Sequence, residues 1–285
     1  MKRLLLPLLF LVNSAVAVEL SGDFKGPLGL QLYSLRETFK TNATDALDKT
    51  KAFGFTQAEL YSSLPVETEK LKGELATRGI TAISGHFGYE TLKKDLAGSV
   101  KNAQSLGVKF AGVAWIPHEI GSFGEADVKR AAADFHEFGA AFKAAGIQFF
   151  YHVHGYEFRP VTEGATETFF DLLARETKPD LVAFEMDVFW VVHPGADPVK
   201  MLQKYPGRWA LMHLKDIAKG ARTGVYTGKA PLTDDVPLGT GQVNWPAVLK
   251  TAQEVGVKYY FIEDESPTVL DAIPVSLRYL QSVKY

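Results

Sequence analysis

Residues 141–154 read AFKAAGIQFFYHVH. An Ala- and Lys-rich helix former runs into Gly146, and a short apolar, aromatic run follows and ends in two histidines. A glycine just past a helix accepts the left-handed conformation that ends helices. The apolar run is what a strand buried on both faces should look like. The same helix–Gly–strand phrase recurs as KAFGFTQAELY (Gly54), LATRGITAISGH (Gly79), AQSLGVKFAGVAW (Gly107) and AQEVGVKYYFIEDE (Gly256). Repetition of this unit is the mark of βα units on a parallel sheet. Three further strands fill the gaps: GPLGLQLYSL (26–35), DLVAFEMDVFW (180–190) and GRWALMHLKD (207–216). Eight strands, most followed by a helix, in a chain of 285 residues predict a single-domain (β/α)8 barrel. An open doubly wound sheet is the competitor. It is weakened because no GxGxxG follows the first strand and no phosphate-loop pattern appears.

The N-terminus reads differently. Lys2 and Arg3 precede a short apolar run, Leu4 to Val12, and then Ala15-Val16-Ala17. That is the layout of a secretory signal peptide spanning 1–17, with the barrel occupying 18–285 and a periplasmic destination expected. The apolar run is too short to span a bilayer, and with no cysteine in the chain no lipid anchor is available. The lack of cysteine also excludes disulfide scaffolds, thiolate metal sites and thiol nucleophiles. The 31 basic residues against 33 acidic ones give no basic footprint for nucleic acid. Residues 218–241, rich in Gly, Thr and Pro, read as a long loop after the seventh strand, in the place of a lid.

Barrel enzymes carry their chemistry at the C-terminal ends of the strands, and here those ends are polar. Gln31 and Tyr33 close the first strand, Glu59 the second, His86 the third and Trp115 the fourth. His152 and His154 close the fifth, with Glu157 just beyond. Six of the seven histidines fall in or just past strand ends; His136 alone sits in a helix. Side chains alternate faces along a strand. Val182, Phe184 and Met186 therefore point to the helices, while Glu185 and Asp187 point into the barrel. His213 and Lys215 point inward, as do Phe261, Glu263 and Glu265. Such converging carboxylates and imidazoles are most simply neutralised by one divalent cation, and oxygen and nitrogen donors suit Mn²⁺, Co²⁺, Fe²⁺, Mg²⁺ or Zn²⁺. Asp187, His213 and Glu263 are the leading ligands. The fourth should come from the fifth strand: Glu157 first, or else His152 or His154. Glu185 lies deeper and reads as half of a buried ion pair. Tyr33, Trp115, Trp190 and Phe189 read as core fillers or as platforms for sugar rings, the two readings standing equal for the tryptophans, and His193 as a loop residue reaching the pocket or a plain turn residue.

GLQLYSLR (29–36), YHVHGYEF (151–158), EMDVFWVVHPGADP (185–198), HLKD (213–216), GTGQVNW (239–245) and YFIEDES (260–266) together resemble the xylose-isomerase-like barrel superfamily, and within it secreted proteins called sugar phosphate isomerase/epimerase. The resemblance implies one metal ion held by Glu, Asp, His and Glu. Asp187, His213 and Glu263 match the last three, and a glutamate in many members stands about where this chain has His152. It also implies a role for Lys215 in proton transfer and for His154 in substrate contact or proton movement. The activity implied is proton abstraction next to a carbonyl, completed as isomerisation or epimerisation. A second outcome is β-elimination from a 3-keto-glycoside made by a separate oxidoreductase. Export and the lack of an Arg/Lys cluster at the last two loops favour a non-phosphorylated sugar. The alternative of another class is a secreted carbohydrate-binding barrel without activity.

Overall fold

The computed structural model describes residues 21–285; the expected signal peptide at 1–17 lies outside them. Eight parallel strands close into a barrel in the order β1-β10-β7-β6-β5-β4-β3-β2. They are β1 (Leu28–Gln31), β2 (Gln57–Leu60), β3 (Thr81–His86), β4 (Phe110–Val113), β5 (Gln148–His152), β6 (Val182–Asp187), β7 (Trp209–Leu214) and β10 (Tyr259–Ile262). β8 (Asp216–Ile217) and β9 (Asp235–Val236) pair antiparallel outside the barrel. The five glycines that mark the repeat, Gly54, Gly79, Gly107, Gly146 and Gly256, all adopt positive φ, between 66° and 92°. No helix among the described residues is long and apolar enough to cross a membrane.

Alternation along the strands builds the interior in tiers. Ile83, Phe110, Phe150, Ala183, Leu211 and Phe261 form an apolar plug at the floor. Two residues further along their strands stand His152, Glu185, His213 and Glu263, all buried. The next inward positions, Asp187, His154, Lys215 and Glu265, form the rim. Outward residues such as Val182, Phe184, Met186, Met212 and Leu214 pack into the main core beneath the helices.

The first and sixth strands stop well short of the stretches read for them. The first ends at Gln31, because its side chain accepts a hydrogen bond from Tyr33 N at 3.0 Å and starts a tight 3-10 turn, Leu32–Leu35. The sixth ends at Asp187, whose carboxylate accepts from Trp190 N at 3.1 Å and caps a short helix, Val188–Val192. Apolar VFWVV fits a buried strand and a buried helix equally well, and the cap decides between them.

The loop after the seventh strand folds back over the barrel mouth and is tied at its base by one side chain. The carboxylate of Asp216, fully buried, accepts from Ile217 N (2.9 Å), Gly239 N (3.0 Å), Gly241 N (3.1 Å), Val243 N (3.3 Å) and Trp245 Nε1 (2.8 Å). Removing the acceptor leaves buried donors unsatisfied at about 1–3 kcal/mol each. Asp216→Ala is expected to cost about 3–5 kcal/mol in denaturant unfolding and to open residues 218–244 to proteolysis; a loss below about 1 kcal/mol would remove the clamp from this account.

Candidate metal centre

Four buried donor atoms meet above the apolar plug. His152 Nε2 lies 3.2 Å from His213 Nδ1 and 3.6 Å from Asp187 Oδ2. His213 Nδ1 lies 3.6 Å from Asp187 Oδ2 and 3.2 Å from Glu263 Oε2. The donors of all four residues fall within 4.8 Å of one another. Four of the six separations are thus 3.2–3.6 Å, the edge of a tetrahedron whose corners lie about 2.0–2.2 Å from its centre, the bond length of a divalent ion to oxygen or nitrogen. Asp187 Oδ2 is buried and has no hydrogen-bond partner. Two carboxylates, two imidazoles, matching separations and an orphaned oxygen fit a cation held by His152, Asp187, His213 and Glu263.

A second layer holds His213 from behind. Its Nε2 lies 2.6 Å from Glu59 Oε1 and 3.3 Å from Glu185 Oε1. Glu59 in turn accepts from Gln31 Nε2 at 2.7 Å. His86 Nε2 reaches Glu185 Oε2 at 2.9 Å and Glu59 Oε1 at 3.2 Å, so Glu185 is the buried partner expected of it. Donation from Nε2 to Glu59 fixes the ring and turns Nδ1 toward the four-donor group, the usual service of a carboxylate behind a metal histidine. Glu59 is therefore placed behind the site and does not line the pocket.

These charges shift one another. Burial would lower the His213 imidazolium, but the carboxylates of Glu185, Glu263 and Glu59 outweigh it and hold its pKa well above the usual value. Burial likewise disfavours charged His86, yet Glu59 and Glu185 push it up to about 9. Burial would raise the Asp187 carboxyl; the imidazoles of His152 and His213 beside it, with Lys215, hold it below its ordinary range. Lys215, 2% exposed, stays charged despite burial because Glu263 (3.2 Å), Glu265 and Asp235 (3.7 Å) surround it.

The pocket above these groups is a cavity of about 440 Å³ whose lining includes Gln31, Tyr33, Tyr61, His86, His152, His154, Trp190, Lys215, Asp235 and Glu263. His154 stacks on Trp190, centroids 4.4 Å apart, and its Nδ1 is buried without a hydrogen-bond partner. Burial lowers its pKa to about 3, with the nearby His152 acting in the same direction.

Three expected residues stand elsewhere. Glu157 is fully buried outside the four-donor group and accepts from His154 N at 2.8 Å and Tyr151 OH at 3.2 Å. The turn at Gly155 (φ 93°) carries it to the side of the outward-facing Tyr151, so strand parity does not extend to it. Burial raises its carboxyl to about 7, against opposing backbone N–H groups. His193 is buried, stacked on Phe189 at 5.7 Å, and its carbonyl holds Gly224 N at 2.9 Å; it anchors the loop and does not line the pocket. Trp115 lies beneath that loop, with Lys229 Nζ 5.3 Å from its ring. The sequence reading missed Asp235 and Lys229, which the loop carries into the lining. The only signal for them was the loop's placement after the seventh strand.

A closed eight-stranded barrel with a four-donor site at its C-terminal end defines a barrel of the metal-site type. A family model described as "Xylose isomerase-like TIM barrel" matches residues 47–283. The chain belongs to this family and is an enzyme of it. It is 24% identical over 267 residues to an inosose dehydratase of Clostridium perfringens, covering 81% of this chain and 85% of that one. The crystal structure of a sugar phosphate isomerase/epimerase from Parabacteroides distasonis superimposes with TM-score 0.74 at 25% identity, covering 98% of this chain and 99% of the other. The IolI protein, solved with a zinc atom, shares the fold at TM-score 0.67 and 15% identity, over 88% and 95% of the two chains.

A metal ion can bind only neutral imidazole, so at pH 7 it must displace the proton that the carboxylates hold on His213. Uptake of Mn²⁺ or Zn²⁺ is expected to release protons, and affinity to fall as pH falls. Titration calorimetry in buffers of different ionisation enthalpy measures this, and binding without proton release would contradict it. Glu59→Gln should weaken metal binding about 10- to 100-fold.

Proposed function

We propose that this enzyme uses a divalent metal ion to abstract a proton next to the carbonyl of a non-phosphorylated sugar. The observation that carries the reading is the joint placement of the four-donor group, Lys215 and His154 in one sugar-sized pocket. A cation held by His152, Asp187, His213 and Glu263 supplies Lewis acidity that stabilises negative charge developing on a carbonyl oxygen. His154, which lines the pocket with its ring braced on Trp190, is placed to accept a proton. Lys215, held as an ammonium among three carboxylates, is placed to give one back. Trp190 and Tyr33, both in the pocket lining, offer apolar faces to a sugar ring.

Charge supports a neutral substrate. Asp235, Glu263 and Glu265 all line the pocket, and Lys215 is already paired with them. A phosphoryl group would meet these carboxylates. The same chemistry suits an exported enzyme, because phosphorylated sugars belong to the cytoplasm; export is part of this proposal.

Two outcomes share the first step. Return of the proton gives isomerisation or epimerisation, in line with the name of the Parabacteroides relative. Expulsion of a β-substituent gives a lyase, and the inosose dehydratase relatives support that second reading. In the lyase reading, a separate oxidoreductase would make the ketone.

Metal-loaded protein incubated in deuterated water with neutral ketohexoses and with a 3-keto-glucoside is the test. Deuterium at an isomerised or epimerised carbon supports the first outcome, and release of the aglycone supports the second. Neither event with any substrate would overturn the proposal. Lys215→Ala should retain the metal but lower kcat by about 10²- to 10⁴-fold, read by metal analysis beside the rate.

A further inference from the structure

Two apolar side chains in the pocket lining stay open to solvent. Among the described residues, the exposed large apolar side chains are Tyr33, Ile120, Leu232 and Leu270. Single exposed apolar side chains are common on protein surfaces, but several gathered at one cleft mark a binding site. Tyr33 (36% exposed) and Leu232 (48% exposed) both line the pocket above the four-donor group.

A chain of contacts puts the two on one wall. The Arg36 guanidinium lies 4.6 Å from the centre of the Tyr33 ring and 3.6 Å from Glu265 Oε2. Glu265 N donates to Asp235 Oδ2 at 2.7 Å. Asp235 directly follows the 3-10 turn Leu232–Asp234. Neither side chain is loosely carried. Tyr33 N donates to the Gln31 side chain at 3.0 Å, and the Tyr33 ring meets Tyr61 edge-on with centroids 5.3 Å apart. The turn bearing Leu232 is held by Ala218 N, which donates to Asp234 O at 2.8 Å, and by the pairing of Asp235 with Ile217.

The buried part of the same lining is polar and includes His152, Lys215 and Glu263. The cavity is thus polar at its inner end and apolar along one lip. A free sugar carries hydroxyls all round and gains little from such a lip. A ligand matched to both ends joins a polar sugar to an apolar group, which is the constitution of a glycoside. An aromatic group suits the lip best, because a ring can pack edge-on or offset against Tyr33 while Leu232 adds apolar surface beside it.

We propose that Tyr33 and Leu232 form a subsite for an aromatic aglycone, so that the substrate class of this pocket is aryl glycosides. The proposal rests on the sugar reading above and narrows it. Trp190, 6% exposed, serves the sugar ring deeper in the pocket, and Tyr33 borders both parts of the ligand.

Calorimetric titration of metal-loaded full-length protein tests the subsite, with methyl and phenyl glycosides compared in pairs: the glucosides, galactosides and xylosides of both anomers. In at least one pair the phenyl glycoside should bind about 10-fold or more tightly than the methyl glycoside. Leu232→Ser, at an exposed position, should lower that phenyl-to-methyl ratio by about 3- to 10-fold. A general loss of structure would instead weaken both glycosides together and leave the ratio where it was. Should the variant fail to fold, the wild-type ratio still decides. Equal affinities in every pair, no binding of any glycoside, a ratio that folded Leu232→Ser leaves unchanged, or a dimer that Leu232→Ser dissociates in sedimentation overturns the subsite. Proton exchange on free ketohexoses in deuterated water needs no aryl group, so failure of the proposed function is distinguishable from failure of the subsite.

Discussion

His213 is gripped at both ring nitrogens inside the barrel, and the rest of the site is arranged around that grip. Nε2 is committed to Glu59 at 2.6 Å, so Nδ1 must face His152, Asp187 and Glu263. Four carboxylates within reach of one imidazole are too many for a dry interior unless positive charge is supplied. Without a metal ion, protons on His213 and His86 and the ammonium of Lys215 supply it. A cation between the four donors replaces the His213 proton with a larger charge. This exchange links the electrostatics of the free protein to the chemistry proposed for the loaded one.

The fold makes such a concentration of charge affordable by layering. Phe110, Phe150 and Phe261 plug the floor, so the polar tier does not open to the bottom of the barrel. Above it, the loop held by Asp216 covers the mouth and adds Asp235 to the wall. Polar atoms at the centre are thereby confined between an apolar floor and a tethered roof, where each interaction is stronger than in water. The unpartnered oxygen of Asp187 belongs to the four-donor group, where a cation would satisfy it.

Much of this was legible in the sequence because a strand has a strict period. Phe150-x-His152-x-His154, Ala183-x-Glu185-x-Asp187 and Phe261-x-Glu263-x-Glu265 each declare floor, middle and rim in order. Parity therefore placed Asp187, His213 and Glu263 on one wall of the barrel. It failed where the backbone leaves the strand. The choice between His152 and Glu157 depended on a turn at Gly155 that parity does not describe. Phe189 and Trp190 read as strand until the Asp187 cap started a helix. Asp235 was invisible because a two-residue antiparallel pair after a long loop leaves no periodic trace. His193 looked like a pocket residue because its loop lies near the mouth, although its ring stacks behind Phe189.

The most direct measurement is anomalous diffraction from a crystal of this protein grown with Mn²⁺ or Zn²⁺, collected on both sides of the metal edge. A single strong peak is expected about 2.0–2.3 Å from His152 Nε2, Asp187 Oδ2, His213 Nδ1 and Glu263 Oε2. A peak liganded by Glu157 in place of His152, a peak between Glu59 and Glu185, or no peak in the barrel would contradict it.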